Sequence, residues 1–135
     1  MRVVIDASVA LSWALPDESS EGAMKAYAAV EEDGAIAPVL FKIEFANALT
    51  IAVRRGRITL EQRQTAIRAT SEIGIAFDMD SLESCWSSAL DLADRHRLTI
   101  YDALYLDVAI RRNLRLATLD KGLADAAARE NVRLA

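Results

Sequence analysis

Two short runs of strand-forming residues constrain this chain more than any other feature: Val3-Val4-Ile5 near its start and Leu116-Ala117-Thr118-Leu119 near its end. Each reads as a buried strand, and each runs straight into a carboxylate, Asp6 in the first case and Asp120 in the second. Further strand signals are Ala35-Ile36-Ala37, Ile75-Ala76-Phe77 and Val132-Arg133-Leu134. The stretches between them have helical periodicity and are too long for hairpin turns, which implies parallel pairing through right-handed crossovers. The predicted fold class is therefore α/β, a three-layer α/β/α sandwich with a mostly parallel central sheet. No linker or repeat divides residues 1–135, which read as a single domain.

The helices carry their own punctuation. Ser8 is placed to cap a short apolar helix through Val9, Leu11, Trp13 and Leu15 that Pro16 ends, with a loop over Asp17-Glu18-Ser19-Ser20. Met24, Tyr27 and Val30 share a helical spacing that Gly34 stops. From Val39 to Arg55 the pattern sets Phe41, Phe45, Ala48, Leu49 and Ala52 on one side, and Gly56 terminates it. Thr59-Leu60-Glu61-Gln62 has the form of a capping box opening a helix from Leu60 to Ile73, before Gly74. These two helices predict a helical hairpin inserted between strands. Asp80 and Glu83 read as the cap pair of a helix carrying Trp86, Leu90 and Ala93, and His96 as a cap at its far end. Tyr101 to Asn113 reads as a helix with Leu104, Tyr105 and Val108 inward; Trp13, Trp86, Tyr101 and Tyr105 are assigned to packing.

Composition narrows the function. With 53% apolar and 27% charged residues the chain can build a core, and a net charge of −4 argues against indiscriminate coating of nucleic acid. Cys85 is the only cysteine, so there is neither an internal disulfide nor a cysteine zinc site. Asp6 interrupts the first apolar run too early for a secretory signal, and no uncharged run approaches the ~20 residues that span a bilayer. The expected location is the cytoplasm, away from membranes.

Twenty acidic residues guarantee that some constellation of Asp and Glu can be drawn, so a candidate must be unusual in its setting. Glu31, Glu32, Asp33, Glu61, Glu72, Asp125 and Glu130 lie in polar contexts that solubility explains. Asp6 and Asp120 stand at strand-to-helix junctions, where capping is the competing account. Glu44 interrupts the apolar series Phe41, Ile43, Phe45, where a charge needs a partner or water. Asp102 opens a helix that continues apolar, a place the helix dipole also favours. In open parallel sheets ligands collect beyond the carboxyl ends of the strands, and clustered carboxylates there suit hard cations such as Mg²⁺ or Mn²⁺. Carboxylates within about 5 Å would repel by roughly 3 kcal/mol per ionised pair, which protons or a divalent ion must relieve.

In order along the chain, Val3-Val4-Ile5-Asp6-Ala7-Ser8, Glu44-Phe45-Ala46-Asn47-Ala48-Leu49, Tyr101-Asp102-Ala103-Leu104-Tyr105 and Ala117-Thr118-Leu119-Asp120 together resemble the motifs of PIN domains, and most of all those of the VapC-type toxins. The resemblance covers essentially the whole chain, including the hairpin with Arg54-Arg55-Gly56-Arg57-Ile58. It implies a Mg²⁺- or Mn²⁺-dependent endoribonuclease, the toxin of a toxin–antitoxin pair. Carried over residue by residue, the catalytic and metal-binding acids are Asp6, Glu44, Asp102 and Asp120, with Ser8, Asn47 and Thr118 in support. A cognate antitoxin and a homodimer are the implied protein partners.

An RNA entering an acidic cleft needs flanking cations, and Arg54, Arg55, Arg57, Arg111, Arg112 and Arg115 are the clusters available; their competing role is to complement helix ends. Two other functions fit the same residues. One is a metal-dependent phosphohydrolase of DNA or small phosphate esters, and the other is a non-catalytic protein-interaction module.

Overall fold

The computed structural model describes residues 1–15, 17, 18 and 20–135. Pro16, expected to end the first helix, and Ser19 of the expected loop lie outside the described residues. In chain order the elements are β1 (Val3–Ile5), α1 (Ala7–Ala14), α2 (Glu21–Asp33), β2 (Ala35–Pro38), α3 (Leu40–Arg54) and α4 (Leu60–Glu72). There follow β3 (Ala76–Asp78), α5 (Ser81–Ser84), α6 (Ser88–His96), α7 (Ile100–Arg112), β4 (Arg115–Ala117) and α8 (Lys121–Arg129).

The four strands form one sheet in the order β3-β2-β1-β4, and every pairing is parallel. β1 lies centrally because all three of its side chains are apolar, which only a strand covered on both faces tolerates. Val3, Val4 and Ile5 are completely buried. Helices α2 and α7 both pack on it, and α7 also reaches β2 and β4. The α/β sandwich and its inserted α3–α4 hairpin are thus as expected.

The fifth strand is not. Val132-Arg133-Leu134 contributes a single parallel bridge, Leu116 to Leu134, rather than a full strand. Arg133 and Leu134 are exposed, and only Val132 and Ala135 on either side pack against the core, so little apolar burial draws the segment into the sheet.

α7 and α4 show how differently a helix can be held. Seven consecutive residues of α7, Ala103 to Ala109, are buried, whereas α4 buries only Ala66. α4 is instead fixed at its start by the capping box, in which Gln62 N–H donates to Thr59 Oγ1 and Thr59 N–H donates to Gln62 Oε1. Gly34 ends α2 with φ of +83°, a conformation that costs glycine nothing and other residues a steric penalty.

Several local expectations are corrected. The N-cap of α1 is Asp6, not Ser8, which lies inside the helix. α2 buries Ala23, Ala26 and Val30, leaving Met24 and Tyr27 exposed, because a one-residue rotation lets small side chains approach the sheet. Asp80 makes no capping bond, and the expected helix is broken into α5 and α6. Trp86, in the break, is 92% exposed rather than packed, and Tyr101 is 54% exposed. His96 does not cap α6; its buried ring shares a 2.6 Å hydrogen bond with Glu130, while Arg97 in the left-handed conformation ends the helix.

Candidate active site

Each of the four singled-out acids comes from a different connection or helix. Asp6 leaves the end of β1, Glu44 sits in the second turn of α3, Asp102 in the first turn of α7, and Asp120 follows β4. The parallel pairing of β1 with β4, in register from Val3–Arg115 to Ile5–Ala117, brings Asp6 and Thr118-Leu119-Asp120 to the same edge of the sheet.

Asp6 is the most tightly held. It is buried, and its Oδ1 accepts hydrogen bonds from Val9 N–H (3.1 Å) and Ser8 Oγ (2.6 Å), while Thr118 Oγ1 donates to Oδ2. The two hydroxyls are locked in turn: Ser8 Oγ accepts from Leu119 N–H and Thr118 Oγ1 from Asp120 N–H. Burial pushes the Asp6 carboxyl above the usual carboxylate range against the lowering effect of these donors, and Asp102 adds to the rise. Asp120 is exposed and caps α8, its Oδ2 accepting from Leu123 N–H at 2.8 Å.

Asp102 follows the N-cap Thr99, whose Oγ1 accepts from Asp102 N–H. Its carboxyl is raised by burial and then by the charge of Asp120. Glu44 is half-buried, and its Oε1 accepts a 2.6 Å bond from the hydroxyl of Tyr105. Burial raises it too, the Tyr105 bond opposes the rise, and the charges of Asp102 and Asp6 reinforce it. Asp102 is therefore the hub, within electrostatic reach of the other three.

No Lys or Arg pairs with any of these four acids among the described residues. Among those residues, no three His, Cys, Asp or Glu side chains are drawn close enough to form a ready-made metal cluster. The donor set nonetheless fits a hard divalent cation: it is all carboxylate oxygen, three of its members are held above their ordinary range, and each oxygen that accepts one hydrogen bond keeps a second lone pair. A cation is what such a group lacks.

The remaining predicted residues fall into two sets. Ser8 and Thr118 bond Asp6 directly, whereas Asn47 is exposed on α3. Arg111, Arg112 and Arg115, expected to face a nucleic acid, are engaged by carboxylates of the fold. Arg111 donates to Asp78 and Asp107, Arg112 to Asp78 and Arg115 to Asp33. Arg111 also lies about 14 Å along α7 from Asp102, at 1.5 Å per residue. Arg57 donates to Asp17 and lies 3.5 Å from Glu18, on the surface. Arg54 and Arg55 are exposed, with no ion pair among the described residues.

Tyr105 is buried as its place on the inward face predicts, but its hydroxyl also donates to Glu44. The available signal was its spacing from Asp102: residues three apart share a helix face, so a phenol there points where the acid points.

The model of the PIN domain family matches residues 3–129. Among curated proteins, Ribonuclease VapC3 of Pyrobaculum aerophilum is 31% identical over 125 residues, spanning 93% of this chain and 94% of that protein. Among solved structures, that of PAE2754 from Pyrobaculum aerophilum superposes with a TM-score of 0.63 at 21% identity, covering 93% of this chain and 84% of the other. No helix among the described residues is long and apolar enough to cross a membrane.

Proposed function

Because this chain belongs to the PIN domain family, we propose that it is a divalent-metal-dependent endoribonuclease, the toxin of a toxin–antitoxin pair. The observation that carries the reading is the gathering of Asp6, Glu44, Asp102 and Asp120 from four separate elements with no cationic side chain to neutralise them. A site built for stability alone would pair such charges or lack them.

In this reading Asp6, Asp102 and Asp120 hold Mg²⁺ or Mn²⁺, and Glu44 binds a second ion or orients the attacking water. A bound ion would supply Lewis-acid charge for the phosphoryl oxygens and a water of lowered pKa. The chain's own part is orientation. Ser8 and Val9 saturate Asp6 Oδ1 and Thr118 holds Oδ2, so the one lone pair left on Oδ2 keeps one direction, and Asp102 in the first turn of α7 lies within electrostatic reach of it. In-line attack would leave a 5′-phosphate and a 3′-hydroxyl. Arg54 and Arg55 at the hairpin end are the cations assigned to the RNA backbone. A cognate antitoxin, a homodimeric state and a cytoplasmic location accompany the reading through the family resemblance.

The test is RNA cleavage with and without Mg²⁺ or Mn²⁺ by the wild type and Asp6→Asn, with new 5′ ends mapped after brief expression of each. Metal-dependent ends made by the wild type alone are expected. Equal cleavage by a purified, folded Asp6→Asn protein would overturn the site. Cleavage of DNA or small phosphate esters in preference to RNA would favour the broader phosphohydrolase.

A further inference from the structure

Tyr105 spends a hydroxyl where packing needs none. The residue is 1% exposed and belongs to the hydrophobic core, a role that phenylalanine would serve with nearly equal volume and no polar atom to satisfy. A buried phenol must find an acceptor, and this one reaches from α7 to α3, sixty-one residues away, to donate to Glu44 Oε1 across an oxygen–oxygen distance of 2.6 Å. Asp102 stands one turn earlier on the same face of α7.

The four acids differ in how firmly they are held. Asp6 has three donors and is confined by burial, and Asp120 is locked into the cap of α8. Glu44 projects from the middle of a helix turn on a longer side chain, and Tyr105 is its one hydrogen-bond donor among the described residues. Released, that carboxylate has three freely rotating bonds and water beside it. Like charge on Asp6 and Asp102 would drive it outward.

We propose that Tyr105 is a positioning residue that ties Glu44 Oε1 to α7, keeping the carboxylate turned toward Asp6 and Asp102 with Oε2 free to bind a divalent cation. The hydroxyl does this without adding positive charge, so it restrains Glu44 and leaves the site's demand for a cation intact. A lysine or arginine in its place would restrain Glu44 equally and neutralise it. The inference rests on the metal-dependent reading above and narrows it, assigning Glu44 to the cation rather than to water alone.

Mn²⁺ uptake by the RNA-free protein tests this without recourse to turnover. Calorimetric titration of wild type, Tyr105→Phe, Glu44→Gln and the double variant should show half-saturation rising about tenfold in Tyr105→Phe. Glu44→Gln should lose at least as much, and the double variant no more than Glu44→Gln. Wild-type uptake by Tyr105→Phe would overturn the proposal, as would losses that add in the double variant, since Tyr105 would then act independently of Glu44. A second measurement needs no altered core. Mn²⁺ added to the wild type should perturb the near-ultraviolet absorbance of a buried tyrosine, an effect retained in Tyr101→Phe and lost in Glu44→Gln; a silent wild-type spectrum despite uptake overturns the role of Tyr105. A wild type that takes up no divalent ion at all overturns the nuclease reading itself, and this proposal with it.

Discussion

The two halves of α7 handle buried acid in opposite ways. At its N-terminal end Asp102 lies within electrostatic reach of Asp6, Glu44 and Asp120, with no ion pair to any of the four among the described residues, and burial and mutual repulsion hold three of these carboxyls above their ordinary range. Toward its C-terminal end the fully buried Asp78 receives Arg111 and Arg112 at 2.7 and 2.8 Å, while Asp107 receives Arg111 and Ser88. Burial would raise Asp78, but the two guanidinium bonds and their charge outweigh it and hold it low. One helix thus carries acid that the fold satisfies and acid that it leaves wanting. The second kind is where the proposed cation would bind.

The sharpest way to break this contrast is to neutralise one acid at each end. Asp102→Asn should reduce metal-dependent RNA cleavage by at least about a hundredfold and leave the melting temperature unchanged or higher, because repulsion is relieved. Asp78→Asn should do the reverse, lowering stability by about 2–3 kcal/mol in urea unfolding with cleavage per folded molecule nearly unchanged. That figure is set below the usual cost of breaking a buried pair because both guanidinium groups are partly wet. Equal effects on both readouts from both variants would erase the distinction.

Acidity separates the halves more gently. For Asp6, Glu44 and Asp102 the folded protein binds protons more readily than the unfolded chain, so their contribution falls as pH rises from about 4 through their raised values. For Asp78 and Glu130 the sign is opposite: their contribution is complete above about 4 and is lost as pH falls through their lowered values. Without divalent ions, thermal unfolding should therefore show maximal stability in the weakly acidic range, and Mg²⁺ or Mn²⁺ should raise the melting temperature more at pH 8 than at pH 5. A metal effect independent of pH would contradict the assignment.

The smallest expected effect is at the hairpin. Arg54→Ala with Arg55→Ala should weaken RNA binding about two- to fivefold and flatten its dependence on salt, with stability changed by less than about 0.5 kcal/mol. Loss of stability instead would give these arginines a role like that of Arg111.

What was legible in the sequence follows the range of the forces involved. Strand ends, the Thr59–Gln62 capping box and the glycine stops are local, and the motif order singled out Asp6, Glu44, Asp102 and Asp120, of which the parallel β1–β4 pairing brings Asp6 and Asp120 to one sheet edge. Pairings across long separations were not legible. Arg111 with Asp78 spans thirty-three residues, His96 with Glu130 thirty-four and Tyr105 with Glu44 sixty-one, and no periodicity announces any of them. Trp86 was misplaced for a related reason: helical spacing from Leu90 assumed an unbroken helix, and the break between α5 and α6 turned the indole outward.

That outward turn makes the protein's fluorescence divisible. Its two indoles occupy opposite surroundings: Trp13 donates to the carbonyl of Ala23 and meets Tyr27 edge to face, while Trp86 stands almost wholly in water. Native emission is therefore a sum of two colours, and a polar quencher such as iodide should extinguish the redder one first. Whatever settles over the corner between α5 and α6 would shield that half of the signal alone.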